Sequence, residues 1–300
     1  MMTHTFVLGC GYVGTRVARQ CLKQGQSVTG LVRTGGSSAR LTQAGVCPVR
    51  RDLAADDLSD LTFAGADVFH LAPPPRYGSE DLHTRRLIAA FDRTGHPRRV
   101  LYVSTTGVYG DCHGDWVDET HPARPEADRS RRRWDAEESL RRWGRSSGGE
   151  LVILRVAGIY GPGRLPLERL AARTPMVRPE EAPFTNRIHV DDLVTACLAA
   201  MEYGLDGAVY NACDDSPSTM TQYFIDVADA AGLPRPPLIS LDEAADRLSP
   251  GMLSYLAESR RVCNRRLREE LGVDLRYPSL ADGLSAQFDA AGDRTRSPAG

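Results

Sequence analysis

The chain is almost without lysine: Lys23 is the only one, and the other 36 of its 37 basic residues are arginine. Chemistry that needs an amine on a flexible stem has Lys23 alone to draw on. That residue falls late in the first predicted helix, away from the strand ends where ligand sites form in α/β sheets. Paired cysteines are missing too. The seven cysteines (10, 21, 47, 112, 197, 213 and 263) are odd in number, scattered and without a CxxC. They read as small core or loop residues of a reducing cytoplasm, and neither a disulfide frame nor a metal site is expected. No run approaches the roughly 18 apolar residues of a membrane-spanning helix. A formal charge of −2 gives no electrostatic case for a nucleic-acid or membrane partner. The first strand pattern starts at once, so no secretory leader is expected and the cytoplasm is the expected location.

What is present is organised around the start of the chain. The apolar run Phe6 to Leu8 feeds directly into Gly9-x-Gly11-x-x-Gly14, and Val13, Val17 and Cys21/Leu22 then recur with helical spacing. Strand, glycine turn and helix in that order form a dinucleotide-binding unit. Gly9 permits the tight turn, Gly11 admits a pyrophosphate, and Gly14 lets the helix lie close on the strand. A Gly-rich turn in an ordinary α/β protein is the plainer alternative; the context of strand and helix favours nucleotide. Tyr12 and Val13, inside the turn, are cofactor-binding candidates with the glycines.

Ser27 to Arg33 reads as the second strand. At its end, where an NAD site usually carries a carboxylate for the ribose 2′-hydroxyl, stands Arg33, followed by Thr34, Ser37, Ser38 and Arg40. A guanidinium and hydroxyls suit a 2′-phosphate, so NADP is favoured over NAD. Ser38 to Ala44 is a short helix candidate and 46–50 a third strand. Asp52, with Leu53 beside it, is placed either to bond the adenine amino group or to cap a following helix. Ala66 to Ala72 is the fourth strand, leaving Leu71, Ala72 and Pro73 at its ligand-facing end before the stiff run Pro73 to Pro75. Further strands are read at 99–104 and 151–156, with a charged helix from Asp128 to Trp143 between them and a turn at Ser146 to Gly149. This alternation implies a Rossmann-type doubly wound parallel sheet. After residue 163 the rhythm breaks. Residues 164–288 read as a smaller C-terminal lobe over the substrate, with late core elements near 184–211, and residues 289–300 as a frayed tail.

The ordered set Gly9-x-Gly11-x-x-Gly14, Arg51-Asp52-Leu53, His70-Leu71-Ala72, Ser104 to Gly110, Tyr160 to Gly163 and Ile188 to Leu193 resembles the short-chain dehydrogenase/reductase (SDR) superfamily, in its extended and atypical branches. The stretches Leu71 to Pro75, Gly161 to Arg169, Asn186 to Leu193 and Leu253 to Arg261 resemble the YeeZ-like atypical group within it. The resemblance implies an epimerase/dehydratase-like or oxidoreductase activity with NAD(P). It also implies a Ser or Thr after the fifth strand and a Tyr-x-x-x-Lys on the next helix, with tyrosine as proton carrier and lysine lowering its pKa and holding the ribose.

Carried onto this sequence, the Ser/Thr position is Thr105, the lysine position Arg133 and the tyrosine position Arg129, with Glu137 one turn further on. The dyad is therefore absent: arginine does not donate a proton near neutral pH, and no tyrosine lies between Tyr109 and Tyr160. Arg129, Arg133 and Glu137 share a helix face, either a solvated charged face or a cationic wall for an anionic ligand. Thr105, Tyr109 and Arg133 are the catalytic candidates, with Tyr109 as replacement proton donor; Tyr77 and Tyr160 are weaker ones, and Cys112 and His113 are neighbours without evidence of pairing. His189 reads as a structural residue at a helix start. Two functions stay open. One is an NADP-dependent oxidoreductase or epimerase-like enzyme on a small carbonyl or hydroxyl compound. The other is a non-catalytic NADP-binding redox sensor. The family often pairs through helices of the sheet layer, which makes a homodimer an expectation.

Overall fold

The computed structural model describes residues 4–295. Seven strands form one sheet: β1 (His4–Leu8), β2 (Ser27–Val32), β3 (Cys47–Arg50), β4 (Asp67–His70), β5 (Arg99–Thr105), β6 (Glu150–Val156) and β7 (Val209–Ala212). Their order is β7-β6-β5-β4-β1-β2-β3, and every pairing is parallel. The order reverses at β1, so β2 and β4 flank it and the ligand crevice opens above all three.

The alternation of a strand explains how both faces are covered. In β1, Phe6 and Leu8 point to a core with Phe63, Phe91, Leu140 and Trp143. Val7 points the other way, toward Val17, Cys21 and Cys197. The first core is closed by α3 (Leu82–Thr94) and α4 (Asp128–Ser147), the second by α1 (Gly14–Lys23) and α6 (Val190–Tyr203), with α2 (Gly35–Gln43) beyond β2; α5 (Leu167–Ala171) belongs to the lobe. Five of the seven cysteines are buried and all are free. Lys23 ends α1 and is exposed.

Local chemistry moves several boundaries. The second strand stops at Val32, because Thr34 caps α2 by accepting from the Ser37 amide (3.2 Å), so α2 begins at Gly35 instead of Ser38. No helix follows Asp52; its carboxylate accepts from the Ala54 amide (2.9 Å) in a turn. The turn read at Ser146 is still helix. The Ser146 and Ser147 hydroxyls donate to the Trp143 carbonyl (3.0 and 2.8 Å), and α4 ends only where Gly148 turns left-handed at φ 70°.

The lobe has its own core, with Tyr160, Leu170, Met176, Phe224, Val227, Ile239, Met252 and Leu284. It is built on α7 (Met220–Ala230), α8 (Leu241–Arg247), α9 (Pro250–Leu256) and α11 (Leu280–Thr295). Residues 190–203 and 209–212 return to the sheet. So does α10 (Arg265–Glu269), whose Leu267 packs with Leu271 and Val273 into the sheet core. In the tail read as frayed, α11 continues to residue 295, and 296–300 lie outside the described residues. Among the described residues no helix is long and apolar enough to cross a membrane.

Candidate active site

A cleft of about 1180 Å³ opens at the C-terminal ends of β1, β2, β4 and β5. The glycine turn forms its floor. Gly9 has φ +90°, and a Cβ there would stand 2.6 Å from the Ala72 nitrogen; a Cβ on Gly14 would stand 2.4 Å from the Gly9 carbonyl oxygen. Both glycines are thus required by the backbone itself. At Gly11 an added Cβ would meet no protein atom within 4 Å. Its bareness serves whatever lies in the cleft, not the packing of the chain. No side chain caps the N-terminus of α1; the Thr15 and Arg16 amides donate to the Gly11 and Val13 carbonyls (3.1 and 2.9 Å), and the positive end of the helix dipole faces the cleft.

Every residue expected to bind cofactor lines this cleft: Gly9, Gly11, Tyr12, Val13, Gly14, Arg33, Asp52, Leu53, Leu71, Ala72, Pro73 and Arg133. The lining is cationic although the whole chain is not. Arg33, Arg51, Arg76, Arg133 and Arg164 face Asp52 as the only carboxylate. Arg51 is paired with Asp60. Among the described residues Arg33, Arg76 and Arg164 have no carboxylate partner. Free guanidiniums around a bare glycine and an uncapped helix start fit the two phosphates of a dinucleotide.

The end across from the glycine turn is built differently. Arg133 reaches under the cleft, donating from Nη1 to the Val103 carbonyl (3.0 Å) and the Tyr102 hydroxyl (3.3 Å). Beneath it, fully buried His70 contacts Thr84 (2.8 Å), which donates to Asp81 (3.0 Å). Burial, with the Arg133 and His83 charges adding to it, drives the His70 pKa down to about 3, so the imidazole is neutral. Glu137 is fully buried and bonds Ser104 (2.5 Å), Arg155 (2.9 Å) and Arg141 (2.8 Å). Arg129, at the tyrosine position, ties α4 to the lobe. It donates to the Ser254 hydroxyl (2.6 Å) and carbonyl (3.1 Å), pairs with Glu258 (3.5 Å), and its Cζ lies 4.1 Å from the centre of the Tyr255 ring. The shared face of Arg129, Arg133 and Glu137 is therefore neither solvated nor a uniform cationic wall: only Arg133 lines the cleft.

Two catalytic candidates are corrected. Tyr109 is not on an accessible loop. It is fully buried, its hydroxyl donates to Asn211 (2.7 Å), and burial pushes its pKa up to about 12. The four-residue 3-10 turn Thr106–Tyr109 swings it inward, away from the cleft. Thr105 caps that turn by accepting from the Gly107 amide (3.1 Å) and does not line the cleft either. Of the weaker candidates, Tyr77 is exposed, while Tyr160 is buried and donates to the Ser279 carbonyl (3.2 Å). His189 is the N-cap of α6, accepting from the Asp191 amide (3.2 Å). Cys112 lies by His121 (3.8 Å), and His113 by Asp111 instead (3.0 Å).

Sequence reading missed His83, Arg76 and Arg164 in the lining. His83 sits in the first turn of α3, and its Nδ1 contacts the Pro73 carbonyl (3.1 Å). The carbonyl can only accept, so Nδ1 carries the hydrogen. Nothing local marks it; only the sheet brings α3 against the loop after β4. Arg164 carried a signal, since it follows the Gly161-Pro162-Gly163 turn.

The model of the NAD dependent epimerase/dehydratase family matches residues 5–213. Protein YeeZ of Escherichia coli (strain K12) is 29% identical over 288 residues, covering 92% of this chain and 97% of that protein. Among solved structures, a functionally unknown conserved protein from Silicibacter pomeroyi DSS superposes with a TM-score of 0.81 at 33% identity, covering 97% of this chain and 99% of the other. A UDP-glucuronic acid 4-epimerase from Bacillus cereus, in complex with NAD, has a TM-score of 0.77 over 99% of both chains at 18% identity, a likeness of fold.

Proposed function

Because the chain belongs to the NAD dependent epimerase/dehydratase family, we propose that the cleft binds a nicotinamide dinucleotide, NADP in preference to NAD, and that the protein is an oxidoreductase acting on a small carbonyl or hydroxyl compound. The observation that carries the cofactor reading is the unpaired guanidinium of Arg33 at the end of β2, with Thr34 and Ser37 beside it in the lining and no carboxylate at that strand end. A 2′-phosphate offers Arg33 a charge-assisted partner. The bound nicotinamide supplies the hydride chemistry. The protein's share is to cradle the pyrophosphate at the start of α1 over Gly11 and to seat the ribose side over Arg133. A non-catalytic redox sensor is the second reading. The ties of Arg129 to the lobe favour it, since they stand where the family's proton donor would stand.

Titration of the full-length protein with NADPH and NADH, followed by cofactor fluorescence, tests the first step. Arg33→Asp is expected to weaken NADPH by about tenfold to a hundredfold while NADH changes little. An unchanged NADPH/NADH ratio overturns the NADP assignment. Loss of NADPH fluorescence with a panel of carbonyl compounds supports the enzyme. No turnover with any of them, together with capture of a protein partner only when cofactor is bound, supports the sensor.

A further inference from the structure

The loop between the sheet and the lobe makes an unusual contact with the glycine turn. The Tyr12 hydroxyl donates to the Pro162 carbonyl (3.0 Å), 150 residues away in sequence. The Arg164 guanidinium carbon lies 4.7 Å from the centre of the Tyr12 ring, and that of Arg16 lies 4.2 Å from the same centre. Two like charges thus share one phenol ring. Arg16 is held further by the Tyr12 carbonyl (2.7 Å). Arg164 has no carboxylate and no hydrogen-bond acceptor for its guanidinium among the described residues. Gly161 shapes the approach. Its φ is +137°, and a Cβ there would stand 3.0 Å from the Tyr12 hydroxyl and 2.9 Å from Val190 Cγ1. The Arg164 amide then bonds the Gly161 carbonyl (2.9 Å), closing a turn that aims Arg164 back at the core.

Two guanidiniums on one ring, neither with a carboxylate partner among the described residues, make the potential at this side of the cleft positive and favour an anion there. Arg164 and Tyr12 line the same cleft as Gly11. We infer that Arg164 is a phosphate ligand delivered by the lobe side of the cleft, closing over the pyrophosphate of the dinucleotide from above while the start of α1 holds it from below. Tyr12 is the positioning residue that seats Arg164. This rests on the reading of the cleft as a dinucleotide site.

The test uses the full chain and calorimetric titration with NADH, ADP-ribose and adenosine. Arg164→Gln is expected to weaken NADH and ADP-ribose by about tenfold to a hundredfold and to leave adenosine unchanged, because adenosine has no phosphate. Arg164→Lys should recover part of the loss. Tyr12→Leu should cost nearly as much as Arg164→Gln, and the double variant should be no weaker than the worse single one, as for residues that act together. The salt dependence of ADP-ribose binding should fall equally in both single variants, which a purely structural role of Tyr12 would not produce. Unchanged ADP-ribose affinity in Arg164→Gln overturns the inference. If the unmodified protein binds neither NADH nor NADPH, it is the cofactor reading that fails.

Discussion

The side of the cleft around the glycine turn and the helix α4 across from it both meet one cavity, yet their polar groups are in opposite states. Around the turn they are unpaired: α1 has no side-chain cap, and among the described residues Arg33, Arg76 and Arg164 have no acid beside them. Along α4 they are committed: Arg129 to Ser254 and Glu258, Arg133 to Val103 and Tyr102, Glu137 to Ser104, Arg141 and Arg155. Free polar groups in a concave site wait for a ligand, whereas satisfied ones hold a fold. One end of the cleft is therefore built to bind. At the other, the polar groups of α4 are paired within the fold, and Arg133 alone of them lines the cleft.

Three changes test that contrast, in falling order of expected effect. The first concerns acid. His70 is buried neutral beneath Arg133, facing Thr84, Asp81, Tyr102 and the charges of Arg133 and His83. Its folded pKa of about 3 lies below the unfolded value of 6.5, so its contribution is complete above pH 6.5 and disappears as the pH falls toward 3. Up to about 5 kcal/mol is at stake. Urea unfolding across that range should show a shallower acid limb in His70→Gln than in the parent; parallel limbs would mean that this region is open to solvent.

The second change is Glu137→Ala, which strands the buried Arg155 guanidinium. It should remove about 3–5 kcal/mol of stability, measured by chemical denaturation. A loss below about 1 kcal/mol would show that α4 is not structurally committed.

The third is Gly11→Ala. Its Cβ meets nothing in the protein. Stability should stay within about 0.5 kcal/mol of the parent, while NADPH affinity falls by about tenfold, equivalent to about 1.4 kcal/mol. A variant that unfolds, or that binds as before, would erase the distinction between the two ends.

These differences also mark what could be read from the chain before its structure. Backbone-encoded features were legible. Gly9, Gly11 and Gly14 announce themselves by spacing, the apolar run Phe6 to Leu8 reads as a buried strand, and Arg33 follows its strand directly. Each is written in residues adjacent in sequence. The α4 end was not legible, because its partners are remote. Arg129 meets Ser254 and Glu258 after 125 and 129 intervening steps, and Tyr109 meets Asn211 after 102. Motif alignment placed Tyr109 beside Thr105, but not the 3-10 turn that buries it. His83 had no local signal, since an imidazole in the first turn of a helix gains meaning only from the loop packed against it. Arg164 lay between the two cases: the glycines around it were visible, and the Tyr12 ring that receives it was not.

The scarcity of lysine has a practical side. Lys23 is exposed at the last turn of α1, whose ten residues put it roughly 15 Å from the glycine turn at the opposite end. As the only side-chain amine in the chain, it is a single internal address for amine-selective reagents once the more acidic α-amino group has been blocked near neutral pH. A fluorophore or a surface linker attached there leaves the mouth of the cleft clear and every molecule oriented alike. Few proteins of this length can be tagged at one internal position without first being mutated, and here the binding experiments can be run on the native sequence.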